Sequence, residues 1–155
     1  MIRDRLAAAG FKLPQPLAPS FLYVAVRVHR GVAYVSGQLP RVSSTALLHV
    51  GRVPDEVSVE QAQDCARLAA LHALASLEAV AGPDALERVE TVVKVTGFVH
   101  ASSSFADAPA VIDAASEILQ IAFAERGAHA RSAVNVAGLP RRSPVEIECI
   151  VAGRF

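Results

Sequence analysis

The chain has 155 residues, 52% of them hydrophobic, with fifteen basic and fifteen acidic side chains and so no net charge. That is enough apolar material to bury a core, and nothing suggests a second domain. A balanced charge leaves no field to gather nucleic acid or an anionic membrane surface, no apolar run reaches membrane-spanning length, and the two cysteines have no zinc-type spacing.

Met1 to Gly10 reads as a short charged helix, Ile2 to Ala9, closed by Gly10 rather than as a signal peptide, and a cytoplasmic, soluble protein is expected. With the extended Pro14, Pro16, Pro19 connection it forms an extension of about twenty residues ahead of one domain spanning the chain. A strand is predicted from Phe21 to Val28, a turn at His29-Arg30-Gly31, a second strand from Val32 to Ser36, and a candidate short strand at Leu47 to Val50. Ser58 followed by Gln61 is a capping-box pattern, Ala62, Ala66, Ala69, Ala73, Leu77 and Val80 recur at helical spacing, and Gly82-Pro83 ends that helix. A strand from about Arg88 to Val99 follows. Asp107 is the candidate N-cap of a second long helix, with Pro109 in its first turn, a buried stripe of Val111, Ile112, Ala115, Ile118 and Ala122, and Gly127 beyond its end.

The last two strands, Arg131 to Pro140 and Val145 onward, read as a hairpin around Arg141-Arg142-Ser143-Pro144. Matching apolar to apolar pairs Val136 with Val145 and Val134 with Ile147, which puts Arg131, Asn135, Glu146 and Glu148 on one face. In that register Arg131 and Glu146 lie roughly 13 Å apart along the ladder, room for a small anion and a water or for groups from a neighbouring chain. Composition alone reads these as ordinary charges on a solvated sheet face. The element order is then β-β-α-β-α-β-β, an α+β fold whose two long helices cover one face of a mixed sheet. The other face is left to pack against copies of itself.

Arg131-Ser132-x-Val134-x-Val136-x-x-Leu139-Pro140 followed by Val145-Glu146-Ile147-Glu148 resembles the C-terminal signature of the RidA (YjgF-like) family, also called endoribonuclease L-PSP-like. Val35-Ser36-Gly37-Gln38-Leu39-Pro40 is similar to that family's Ser-Gly-Gln-(Ile/Leu)-Pro element, and Val92 to Val99 to its central strand. The resemblance covers most of the chain after about Phe21. It implies a chorismate mutase-like fold of the bacillus type and a homotrimer whose three sheets close into a barrel with clefts between subunits. It implies no cofactor and no metal.

By the same resemblance Arg131 falls on the catalytic arginine, whose planar fork can hold a carboxylate. Glu146 falls on the glutamate that positions or activates water, with Glu148 an exposed or interface charge. Gly37 and Ala133 would place backbone groups against the ligand, Tyr23 corresponds to an N-terminal tyrosine, and Ser116 stands where several members carry asparagine. The departures are Ala133 in place of a frequent cysteine, no polar Ser-Gln after Tyr23, and a long Arg41 to Val57 region. They set the chain in a longer, less characterised subgroup.

His29, His49, His72, His100 and His129 show no ligand spacing. His72 reads as a packing histidine, His129 as a candidate ligand contact, Ser102 to Ser104 as a solvated loop, and Cys65 and Cys149 as buried thiols. The implied activity is hydrolysis of reactive enamines or 2-imino acids to 2-oxo acids and ammonia. The alternatives are a trimer that binds a small carboxylate without turnover and an RNA-cleaving enzyme. Neutral charge and few aromatics speak against the last.

Overall fold

The computed structural model describes residues 1–155. Helix α1 (Ile2–Ala8) ends at Gly10, whose φ of 86° lies in the left-handed region, and buries Ile2 and Leu6 against α3 (Ala108–Phe123). Strands β1 (Val26–His29) and β2 (Val32–Gln38) form a hairpin, with Val26 opposite Val35. Helix α2 (Val59–Ala81) starts in the predicted capping box: Ser58 Oγ accepts from Gln61 N while Gln61 Oε1 accepts from Ser58 N. Its run of alanines lets it sit close to both the sheet and α3. Strand β3 (Val89–His100) is the longest, β4 (Ala130–Val136) follows α3 and a 3-10 turn at Ala124–Gly127, and β5 (Val145–Gly153) closes the chain.

The strand order is β1-β2-β5-β3-β4, a five-stranded mixed sheet with α2 and α3 on one face. The predicted element order, α+β class and one-sided helices therefore hold, and two local strand readings do not. The strand expected from Phe21 begins only at Val26, leaving Phe21 and Leu22 in solvent, and no strand forms over Leu47 to Val50, where the only ladder contact is an isolated bridge between Arg41 and Leu47. Asp107 stands at the N-cap of α3 as expected, though its side chain makes no capping bond.

The larger correction is the terminal hairpin. β4 does not pair with β5; it runs parallel to β3, with Val134 opposite Phe98, while β5 lies antiparallel between β2 and β3. The cause is α3, whose crossover carries the chain back over the sheet and so delivers β4 as a parallel neighbour of β3. The β4–β5 connection must then pass over the end of β3. Hydrogen bonds from His100 N to Pro144 O and from Ala101 N to Val136 O bind that end to both flanks of the connection.

Faces follow from this pairing. A Cβ on Gly97 would collide with Ile112 of α3, so Gly97 and its partners Ala133 and Ile147 face the helices. Phe98, Val134 and Glu146 therefore form a row on the open face, with Thr96, Ser132 and Glu148 in the next. The predicted sharing of one face by Arg131, Asn135, Glu146 and Glu148 is wrong. Arg131, Ala133 and Asn135 point to the helix side, the two glutamates to the open side. Val134, expected in the core, is 44% exposed. The β5 side chains Val145, Ile147, Cys149 and Val151 are buried as predicted, in an apolar cluster running from Ile2 and Leu6 through both long helices.

Candidate active site

Three of the sequence-predicted residues meet in one cleft of about 360 Å³: Tyr23, Gly37 and Glu146. Its walls also carry Phe21, Leu39 and Pro140. Between Val35 and Gln38 the β2 strand holds one residue more than its partner β5, a bulge that places Ser36 and Gly37 beside Glu146. A Cβ on Gly37 would sit 1.8 Å from Glu146 Oε1. Glycine here is what lets the carboxylate lie against the β2 backbone. Burial, and secondarily the charge of Glu148, push the Glu146 carboxyl above the ordinary value of 4.5. A carboxyl of that kind, at the floor of a partly apolar cleft, can hold a proton or orient a water.

A second cluster forms on the other side of the sheet. Arg131 Nη1 donates to Asp113 Oδ1 at 2.7 Å and to Ser116 Oγ at 3.0 Å, both on α3. Ser116 Oγ lies 2.9 Å from His129 Nε2, and His129 Nδ1 lies 2.6 Å from Gly127 O. The Gly127 carbonyl can only accept, so His129 Nδ1 donates to it, and Nε2 is left to share a hydrogen bond with the Ser116 hydroxyl. Arg131, Ser116 and His129 are thus joined in one chain of hydrogen bonds. Ala133 lies two residues further along the same face of β4, packed against the core. Each chain therefore carries two separate clusters, one with Glu146, Gly37 and Tyr23, the other with Arg131, Ser116, His129 and Ala133.

The remaining candidates settle into structural places. His72 is buried with Nε2 2.7 Å from Arg41 O, and burial holds its pKa below the usual imidazole range. Cys65 and Cys149 are buried, and burial pushes each thiol up to about 12, far from a reactive thiolate. Ser102 and Ser104 hydrogen-bond each other on the exposed loop. Sequence reasoning missed Arg41 and Arg141, which also line the cleft, and Asp113, the carboxylate paired with Arg131. Arg41 was legible only as the residue after Ser-Gly-Gln-Leu-Pro, and Arg141 only as part of a turn.

Comparison with known proteins follows the same lines. The chain is 36% identical over 151 residues to Protein TCP17 of Trypanosoma cruzi, covering 97% of this chain and 92% of that one. It is 34% identical over 138 residues to a 2-iminobutanoate/2-iminopropanoate deaminase of Dermatophagoides farinae, covering 89% and 88% of the two chains. Among solved structures it superposes on Atu1372 from Agrobacterium tumefaciens, a protein of unknown function, with TM-score 0.89, 36% identity and coverage of 99% and 92%. Against E. coli TdcF with bound serine the TM-score is 0.58, with 29% identity and coverage of 91% and 94%. No helix is long and apolar enough to cross a membrane. A model of the endoribonuclease L-PSP family matches residues 14–153. The chain therefore belongs to the endoribonuclease L-PSP family, the group also known as YjgF or RidA proteins.

Proposed function

We propose that the protein hydrolyses reactive 2-imino acids to 2-oxo acids and ammonia, in clefts completed between the subunits of a homotrimer. The observation that carries this reading is the separation of the two clusters. Arg131 lies on the helix side of the edge strand β4, whereas Glu146 lies on the open face with its pKa raised by burial. A cleft using both needs the Glu146 of one copy and the Arg131 of another. The deaminase activity named for the Dermatophagoides relative and the serine bound by TdcF support a small amino-acid-derived ligand.

In this mechanism Arg131 turns its fork from Asp113 to the substrate carboxylate, a stronger contact once water is excluded. The Ser116–His129 chain limits how far the guanidinium can move. Glu146 orients a water toward the imine carbon and takes its proton as the carbon–oxygen bond forms. That proton passes to the nitrogen to give a carbinolamine; its hydroxyl proton then moves through the same carboxyl to the amine as the carbon–oxygen double bond forms, the carbon–nitrogen bond breaks, and ammonia leaves. The imine is already electrophilic, so binding, orientation and one proton shuttle suffice.

Ammonia release from 2-iminopropanoate, generated freshly by oxidation of alanine, tests the reading. Glu146→Gln should lower kcat by about a hundredfold or more, the usual worth of a general base. Arg131→Ala should instead weaken 2-oxo acid binding by roughly 1.5–3 kcal/mol, with Arg131→Lys recovering part of it. Wild-type protein that releases no ammonia above the uncatalysed rate would refute the enzymatic role.

A further inference from the structure

We infer that Arg41 and Arg141 form an anion seat in the same cleft as Glu146, and that the substrate is a 2-imino acid with a second carboxylate on its side chain. The word substrate rests on the deaminase reading; the seat rests on geometry alone.

Arg41 Nη2 and Arg141 Nη1 each donate to the same acceptor, Ser44 O, at 2.9 Å. Two guanidiniums are thus drawn together over one neutral oxygen. Neither has a carboxylate partner, a state they share with Arg5, Arg27, Arg30, Arg88 and Arg126, but these two alone of the unpaired arginines line the cleft. Arg41 Nε is buried and without a hydrogen-bond partner. Like charges so placed repel, and an unpaired buried donor costs free energy, unless an anion enters between them.

The backbone holds the pair in place. Arg141 and Arg142 both adopt left-handed φ values of 57°, a conformation non-glycine residues seldom take. Arg142 fastens this turn by two bonds from Nη2 to the Glu56 carboxylate, at 2.6 and 2.8 Å, and through its carbonyl to Gly51 N. Arg141 is left lining the cleft. Its guanidinium and that of Arg41 do not pair with Glu146, which is the only carboxylate in the lining and whose pKa is set by burial and Glu148 rather than by any cation. The space for a ligand is the cleft that all three line. A cleft of about 360 Å³ has room for a five-carbon acid beyond the reacting centre. The cleft's charge, two cations against one carboxyl, matches a second anionic group, and the guanidinium fork matches the plane of a carboxylate.

The test compares 2-oxoglutarate with 2-oxopentanoate, the same five-carbon chain lacking the terminal carboxylate, by calorimetric titration of the whole protein. Wild-type protein should bind the dicarboxylate about tenfold or more tightly. The Arg41→Gln/Arg141→Gln double variant should bring the ratio of the two dissociation constants close to one, with Arg141→Lys keeping part of the preference. Arg141→Gln alone, a change at an exposed turn residue, should still reduce the ratio if the double variant does not fold. Equal wild-type affinity for the two acids, or a preference untouched by Arg141→Gln, would overturn the seat. Inorganic phosphate displacing 2-oxoglutarate at equal concentration would overturn the carboxylate assignment. Ammonia release from the imino acids of glutamate and norvaline runs in parallel. Dicarboxylate-selective binding without turnover of either imino acid would leave the seat standing and sink the deaminase reading. Equal turnover of both with equal binding would do the reverse.

Discussion

Glu146 is a weaker acid than an ordinary glutamate chiefly because burial disfavours its charged form, with the charge of Glu148 adding to that; the bulged neighbour strand and the bare Gly37 are what let the carboxyl lie there. The consequence for stability has a definite sign. Its folded pKa stands above 4.5, so the folded chain binds that proton more tightly than the unfolded chain does. The ionised side chain therefore destabilises the fold at pH values above the raised pKa. The penalty is relieved as pH falls through that value toward 4.5. Glu146→Gln should then melt at a higher temperature than wild type at pH 8, with the gap closing at pH 4. A gap that persists or widens in acid would show that burial is not what sets this group. At this scale the sequence was legible through its motif alone. Ser-Gly-Gln and Val-Glu-Ile-Glu marked Gly37 and Glu146, but nothing in the spacing announced that Arg41 and Arg141 would share one carbonyl, because the loop between β2 and α2 and the connection before β5 meet only in three dimensions.

Among the elements, patterns that live within one segment were readable and patterns that depend on pairing were not. The capping box at Ser58, the stop at Gly82 and the buried stripe of α3 all rest on local chemistry and appear as expected. The hairpin reading of β4 and β5 failed because apolar alternation fixes which residues share a face but not which strand lies alongside. The strand–helix–strand order β3-α3-β4 was the signal for a parallel neighbour, and it inverted the face assigned to Arg131. Helix α1 offers a test of how far the core extends. Leu6 is 1% exposed and belongs to the main apolar cluster, so Leu6→Ala should cost about 2–5 kcal/mol in a denaturant titration. A change below about 0.5 kcal/mol, the range of ordinary surface substitutions, would mean that α1 is an appendage rather than part of the core.

At the scale of the whole molecule, the open face of the sheet and the segment that leads into β1 remain apolar and uncovered. Tyr34, Val93 and Val134 are exposed on the sheet, and Phe21 is 82% exposed at the rim of the Glu146 cleft. Surface of this kind is covered most simply by identical copies, and a threefold arrangement would bring three Glu146 half-sites toward three Arg131 half-sites. The most direct measurement mixes two inactive proteins. Arg131→Ala and Glu146→Gln subunits, unfolded together in equal amounts, refolded and collected at the mass of the proposed trimer, three times 16.3 kDa, are assayed for ammonia release from the preferred imino acid. If each cleft draws Arg131 and Glu146 from different chains, three-quarters of randomly assembled trimers are mixed and each holds one intact cleft in three, so roughly a quarter of wild-type activity should return. A mixture no more active than its two components, beside an active wild type refolded in the same way, would contradict a site shared between subunits.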